Sequence, residues 1–227
     1  MNNLDRWNAC KINPNKQAAF NKVAQRLLSN KARYQTVEKR TGVPWWFIAV
    51  VHEREASGNF RTQLGQGDPL NQVSTHVPKG RGPFATWEDG AFDALVKTAP
   101  FAARQKDWSI GAALDMLEKY NGLGYKKRGI PSPYLWAGTN QYTRGKFIAD
   151  GVFSASAVDQ QLGCAGLLKA MGVGSIPTIA HAGGATAGLG FLAGTWEQVQ
   201  QHPFIFGIIA VALGLATFFV IRKLKGK

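Results

Sequence analysis

Val43-Pro44-Trp45-Trp46-Phe47-Ile48-Ala49-Val50-Val51-His52-Glu53-Arg54-Glu55-Ala56-Ser57-Gly58-Asn59-Phe60 reads as an apolar helix whose last turn carries carboxylates and then breaks. Pro44 suits a first helical turn, the run to Val51 is nearly all apolar, and Gly58 is a natural stop. A carboxylate at the C-terminal end of a buried helix is partly desolvated and faces the negative end of the helix macrodipole. Both effects raise its pKa, as a general acid working near neutral pH requires. Glu55 and Glu53 are thus two candidate proton donors, set against the plainer reading of a helix that ends in solvated charge. Two residues apart, they point to nearly opposite sides of the helix, so only one can face a cleft. Glu55 has Val51 and Ile48 at i−4 and i−7, whereas Glu53 has Ala49 and Trp46, and periodicity barely separates them.

Around this helix the chain reads as a mainly α body with an irregular insertion. Apolar positions at Phe20, Val23, Leu27 and Leu28, then Tyr34 and Val37, suggest one or two helices over 17–40. Residues 58–84 are rich in Gly, Pro, Asn and Asp and have no helical period, which predicts a long irregular or β-hairpin-like segment. Helical patterning resumes after Thr86, a plausible cap before Glu88 and Asp89, and again over about 109–120. An aromatic, Gly- and Pro-rich loop over 121–143 and a short helix near 144–152 complete the expected body, 1–160.

Residues 161–203 form a Gly/Ala-rich stretch with little charge, expected to be a linker or a membrane-associating segment whose small residues let helices pack closely. Phe204 to Ile221 is then an 18-residue uncharged run, long enough to cross a hydrocarbon core that needs roughly 17–25 residues. A basic tail, 222–227, follows it. The positive-inside rule puts that tail in the cytoplasm and the N-terminal domain on the periplasmic side. The polar N-terminus, Met1 to Pro14, has no apolar core of a secretory signal, so the route of export is not explained by it.

The chain has 227 residues and a net charge of +13, from 27 Lys and Arg against 14 Asp and Glu. A basic soluble part implies a polyanionic partner: nucleic acid, an anionic membrane face or an anionic wall polymer. Apart from Lys126-Lys127-Arg128 the charges are scattered singly, and no nucleic-acid motif accompanies them, so nucleic acid is set aside. Cys10 and Cys164 form no metal-type cluster and read as free thiols, with a disulfide between them the other possibility. The four histidines share no ligand spacing, so neither a metal nor a cofactor is expected.

Three further segments belong with the opening helix. They are Leu64-Gly65-Gln66-Gly67-Asp68-Pro69-Leu70; His76-Val77-Pro78-Lys79-Gly80-Arg81-Gly82-Pro83-Phe84; and Tyr120-Asn121-Gly122-Leu123-Gly124-Tyr125 with Ser132-Pro133-Tyr134-Leu135-Trp136 beyond. Together they resemble the lysozyme-like family of bacteriophages and prophages, whose members cleave bacterial peptidoglycan. His-x-Arg-Glu-x-Ser-x-x-Phe followed by Gly-Asp-Pro-Leu looks like that family's signature, and the resemblance covers about residues 20–155. It implies an α-helical, two-lobed lysozyme-like fold and places Glu55, not Glu53, as the catalytic acid. A looser similarity links the region to soluble lytic transglycosylases, in which a later Tyr-Asn-x-Gly lies across the cleft. Tyr120-Asn121-Gly122 matches that element, which implies a tyrosine able to hydrogen-bond the acid and an asparagine able to contact sugar. The transglycosylases' Gly-Leu-Met-Gln segment is absent, and Gly82-Pro83-Phe84 stands roughly in its place.

The expected function is cleavage of the bond between N-acetylmuramic acid and N-acetylglucosamine, by a phage-encoded, membrane-anchored enzyme acting in lysis or wall penetration. Glu55 protonates the leaving oxygen. Asp68 is the candidate second carboxylate, although Gly-Asp-Pro is also what a tight turn uses. Without a second acid, the same glutamate can serve as base while a substrate hydroxyl closes an anhydro ring. Tyr125, Tyr134, Trp136 and Tyr142 are candidate stacking surfaces for sugar rings, or ordinary packing. The rival reading is a non-catalytic, wall-binding structural or ejection component of a virion with a degenerate domain of this type.

Overall fold

The computed structural model describes residues 1–65 and 67–174. Within them the chain is mainly α, with one small antiparallel hairpin. The expected span at 204–221 and the basic tail lie outside the described residues. No helix among the described residues is long and apolar enough to cross a membrane.

The helices are α1 (Asn3–Ala9), α2 (Gln17–Ser29), α3 (Lys31–Thr41), α4 (Trp45–Ala56), α5 (Trp87–Val96) and α6 (Ile110–Tyr120). They are followed by the short α7 (Gly124–Lys127) and α8 (Pro133–Trp136), the hairpin β1 (Lys146–Ala149) and β2 (Val152–Ser154), and α9 (Cys164–Ala170). α4 lies at the centre, packed against α3 and α9, and α5 packs against α3 as well. Its residues Phe47, Ile48, Ala49, Val50, Val51 and His52 are all fully buried, so the helix is apolar all round and not on one stripe. Each large side chain among them contributes roughly 1.5–3 kcal/mol by leaving water.

α4 begins directly after Pro44 and stops through two consecutive residues with positive φ, Ser57 at 51° and Gly58 at 66°. The Ser57 and Gly58 amides turn back onto the Glu53 and His52 carbonyls, which satisfies two orphan acceptors of the last turn. Gly58 is required there twice over. Its φ favours glycine, and a Cβ would come within 3.1 Å of Glu53 Oε2. Beyond it, Phe60 closes over a buried aromatic cluster with Tyr34, His52 and Trp87, joining α3, α4 and α5.

The segment after Phe60 is irregular, as expected, with one bridge among its described residues, between Thr62 and Pro69. Side chains hold it in place of strands. Gln63 donates to the Pro69 and Gln72 carbonyls, and Ser74 bonds both Pro78 and Arg81.

Two expectations are overturned. The short helix near 144–152 is instead the β1–β2 hairpin, in which Ala149 faces Val152 across Asp150-Gly151. Asp-Gly between β-branched and aromatic residues is a hairpin turn, and Gly151 takes the positive φ it needs. The start of the Gly/Ala-rich stretch is not a linker, because α9 packs into the same core as α2, α4 and α8, beyond the expected boundary at 160. Its small residues serve close approach. A Cβ on Gly163 would lie 2.4 Å from the Leu135 carbonyl oxygen, and one on Gly166 would meet the Phe20 ring at the same distance. Cys10 and Cys164 are both buried free thiols.

Candidate active site

Glu55 sits on the last turn of α4 and faces a cavity of about 400 Å³. Gly65, Val77, Pro78, Arg81, Lys97 and Tyr120 are among the other residues that line it. Glu55 Oε1 accepts a hydrogen bond of 2.8 Å from the Tyr134 hydroxyl. No hydrogen bond to Oε2 is formed by a described residue. Burial pushes the Glu55 pKa up, while the Tyr134 hydroxyl and the Arg54 charge pull the other way.

Glu53 is placed quite differently. It forms an ion pair with Arg26, which also donates to the Ser57 carbonyl at 3.0 Å and so caps the negative end of α4. Burial raises the Glu53 pKa too, but its carboxylate is committed to this pair. Geometry therefore separates the two glutamates where periodicity does not.

The other expected site residues divide into those near Glu55 and those spent on the scaffold. Tyr120 lines the Glu55 cavity, but its buried hydroxyl has no partner among the described residues, and the expected bond from Tyr120 to the acid is not made. Tyr134 makes a bond to Glu55 instead, at 4% exposure, and is thus a support for that carboxyl and not a stacking face. Asn121 donates to Ser132 Oγ at 2.9 Å and lines a second cavity of about 530 Å³, with Arg54, Tyr125, Lys146, Asp159 and Gln161. Tyr125 is buried, and its hydroxyl accepts from the Phe147 amide. Trp136, at 1% exposure, is a core residue with no face to offer a sugar. Tyr142 is equally spent, donating to the Gly145 carbonyl and accepting from the Asp159 amide.

Asp68 is buried, and both of its oxygens are occupied. It accepts from the Thr75 and His76 amides at 3.0 and 3.1 Å, and its Oδ1 lies 2.7 Å from His76 Nδ1. The His76 amide, followed by its ring, holds the Asp68 pKa below the ordinary carboxylate range. Asp68 is absent from the Glu55 cavity lining, and it anchors the loop that supplies Val77 and Arg81 to that cavity. Among the described lining residues Glu55 is the sole carboxylate.

Sequence reasoning missed the ion pair of Arg54, the neighbour of Glu55 in the chain. Arg54 and Asp159 form a buried ion pair at 3.0 Å, with side chains 5% and 7% exposed. Lys146 reaches the same aspartate at 3.6 Å, and the Arg54 guanidinium lies 4.8 Å from the centre of the Tyr134 ring. Arg54 was visible inside the His-x-Arg-Glu motif, but no local signal marks Asp159. No group of three or more His, Cys, Asp and Glu among the described residues is placed to hold a metal ion. No family model, curated protein or solved structure matches the chain.

Proposed function

We propose that this chain is a peptidoglycan glycosidase that cleaves the bond between N-acetylmuramic acid and N-acetylglucosamine, with Glu55 as its general acid in a lysozyme-like cleft. One observation carries the reading. Glu55 is a half-buried carboxyl lining a cavity, with one oxygen held by Tyr134 and the other free of any bond to a described residue. Desolvation keeps such a group protonated to higher pH than an exposed glutamate, so it has a proton to give. The motifs that resemble phage lysozyme-like enzymes support the substrate, and the basic charge suits an anionic wall.

In the proposed reaction Glu55 donates its proton to the glycosidic oxygen as the bond to the anomeric carbon breaks. With Asp68 tied to Thr75 and His76, and no other described carboxylate lining the cavity, the lone-glutamate outcome is favoured. The substrate's own primary hydroxyl then attacks the anomeric carbon, and its proton returns to the Glu55 carboxylate. The product is an anhydro sugar, as in lytic transglycosylases; attack by water would leave a reducing end instead. The uncharged run at 204–221 is proposed to anchor the enzyme in the membrane, with the catalytic body on the periplasmic side.

The test is digestion of purified sacculi followed by mass spectrometry of the released sugars. Wild-type protein is expected to release anhydro-muramic ends, and a Glu55→Gln variant to fold normally and release none. Wild-type-like release by Glu55→Gln would remove Glu55 from the mechanism. No release by wild type would overturn the glycosidase reading in favour of a non-catalytic wall-binding role.

A further inference from the structure

The Glu55 cavity carries a cationic corner that proton donation does not use. Arg81 comes from the irregular segment, where its amide donates to Ser74 Oγ and its carbonyl accepts from the Ser74 amide. Its guanidinium grips Asp93 of α5 through Nε, at 2.7 Å, and Nη2. Lys97, one turn further along and just past the end of α5, reaches the same carboxylate at 3.8 Å. Asp93 is 6% exposed and thus the buried partner, whereas the Lys97 side chain is 59% exposed. Two cations share one anion, leaving a surplus positive charge, and both cations line the cavity. Arg81 Nη1 bonds to no described residue, and the Lys97 ammonium has donors to spare. Beside them lie Pro78 and Val77, the latter apolar yet 81% exposed.

A cavity that offers a proton donor, an exposed apolar ledge and unspent cationic donors fits a sugar bearing an acid group. We infer that Arg81 and Lys97 form a carboxylate-binding subsite, which makes the site selective for acid-bearing glycans over neutral ones. The inference rests on the glycosidase reading and narrows its substrate class. The carboxylate has two possible sources, the lactyl group of N-acetylmuramic acid stripped of peptide, or an acidic residue of a stem peptide. Asp93 holds the Arg81 fork rigid, so Arg81 positions the subsite while the exposed Lys97 supplies most of the variable attraction.

Binding is measured by calorimetry on the full-length Glu55→Gln variant, which removes turnover from the readout. The probes are a disaccharide of N-acetylglucosamine and N-acetylmuramic acid with its free lactyl carboxylate, the same disaccharide bearing an acidic stem dipeptide, and neutral chitobiose. At least one acidic probe is expected to bind roughly fivefold more tightly than chitobiose, the scale of a partly exposed ion pair. The acidic probe that is preferred identifies the source. Adding Lys97→Gln, at an exposed position that leaves the Arg81–Asp93 pair intact, is expected to erase the preference. So is about 1 M salt, where charges are screened beyond about 3 Å. Equal binding of chitobiose, a preference that survives Lys97→Gln, or no binding of any probe would overturn the subsite. Failure of the glycosidase reading shows up elsewhere, as wild-type protein that leaves sacculi intact while the binding preference stands.

Discussion

Glu55 and Tyr134 are 79 residues apart in the chain and 2.8 Å apart in space. The tyrosine hydroxyl stabilises the carboxylate over the acid, so it moderates the upward push of burial. Removing that hydroxyl without changing the ring should therefore let the Glu55 pKa rise further. In Tyr134→Phe the basic limb of the kcat/KM profile on solubilised glycan is expected to move to higher pH, because the carboxylate loses a hydrogen bond that favours its charged form. A limb that stays in place, or moves to lower pH, would show that Tyr134 does not act on the carboxyl. Glu53, two positions earlier, illustrates why helical spacing alone is a poor guide here. On a helix buried all round, both glutamates have apolar neighbours, and what tells them apart is the distant side chain each one meets, Arg26 of α2 for Glu53 and Tyr134 for Glu55.

At the scale of elements, α4 carries a second buried titratable group. His52 is fully buried against Phe60 and Trp87, with the Tyr34 hydroxyl 3.0 Å from its Nδ1. Burial lowers its pKa from 6.5 to about 4. The unfolded chain thus takes up the proton first, and the contribution of neutral His52 to stability is present above pH 6.5 and lost as pH falls towards about 4. Urea midpoints of the wild type are expected to decline through that window. His52→Gln should start lower, for want of the ring contacts, and decline less. Parallel declines would mean that the acid sensitivity arises elsewhere. The hairpin and α9 show where local pattern misleads. Asp150-Gly151 is a turn hidden in a stretch that also scans as a short helix. Gly163 and Gly166 look like linker composition because close packing and flexibility call for the same small residues.

For the described body as a whole, the Arg54–Asp159 pair joins α4 to the chain that follows the hairpin, across 105 residues. Both charges are buried, so removing one strands the other. Asp159→Asn is expected to cost about 3–5 kcal/mol of unfolding free energy in denaturant titrations. Replacing both, as Arg54→Met with Asp159→Leu, should recover most of that loss, because a buried ion pair is often no more stable than apolar residues of similar volume. A single variant as stable as wild type would show that the pair is open to water. What the sequence by itself determined was local. It set the mainly α character, the central apolar helix with its break at Ser57-Gly58, the irregular segment after Phe60, and a pair of carboxylates, Glu53 and Glu55, on the last turn of that helix. These follow from periodicity, capping and turn chemistry, which act over a few residues. Tertiary structure alone decided that Tyr134 and not Tyr120 bonds Glu55, that Asp68 is spent on its loop, that Trp136 is core, and that Arg54 finds Asp159. Each of these depends on which distant side chain arrives beside which when the core closes. A satisfied buried polar group is a property of that meeting, and not of either residue in its own stretch of chain.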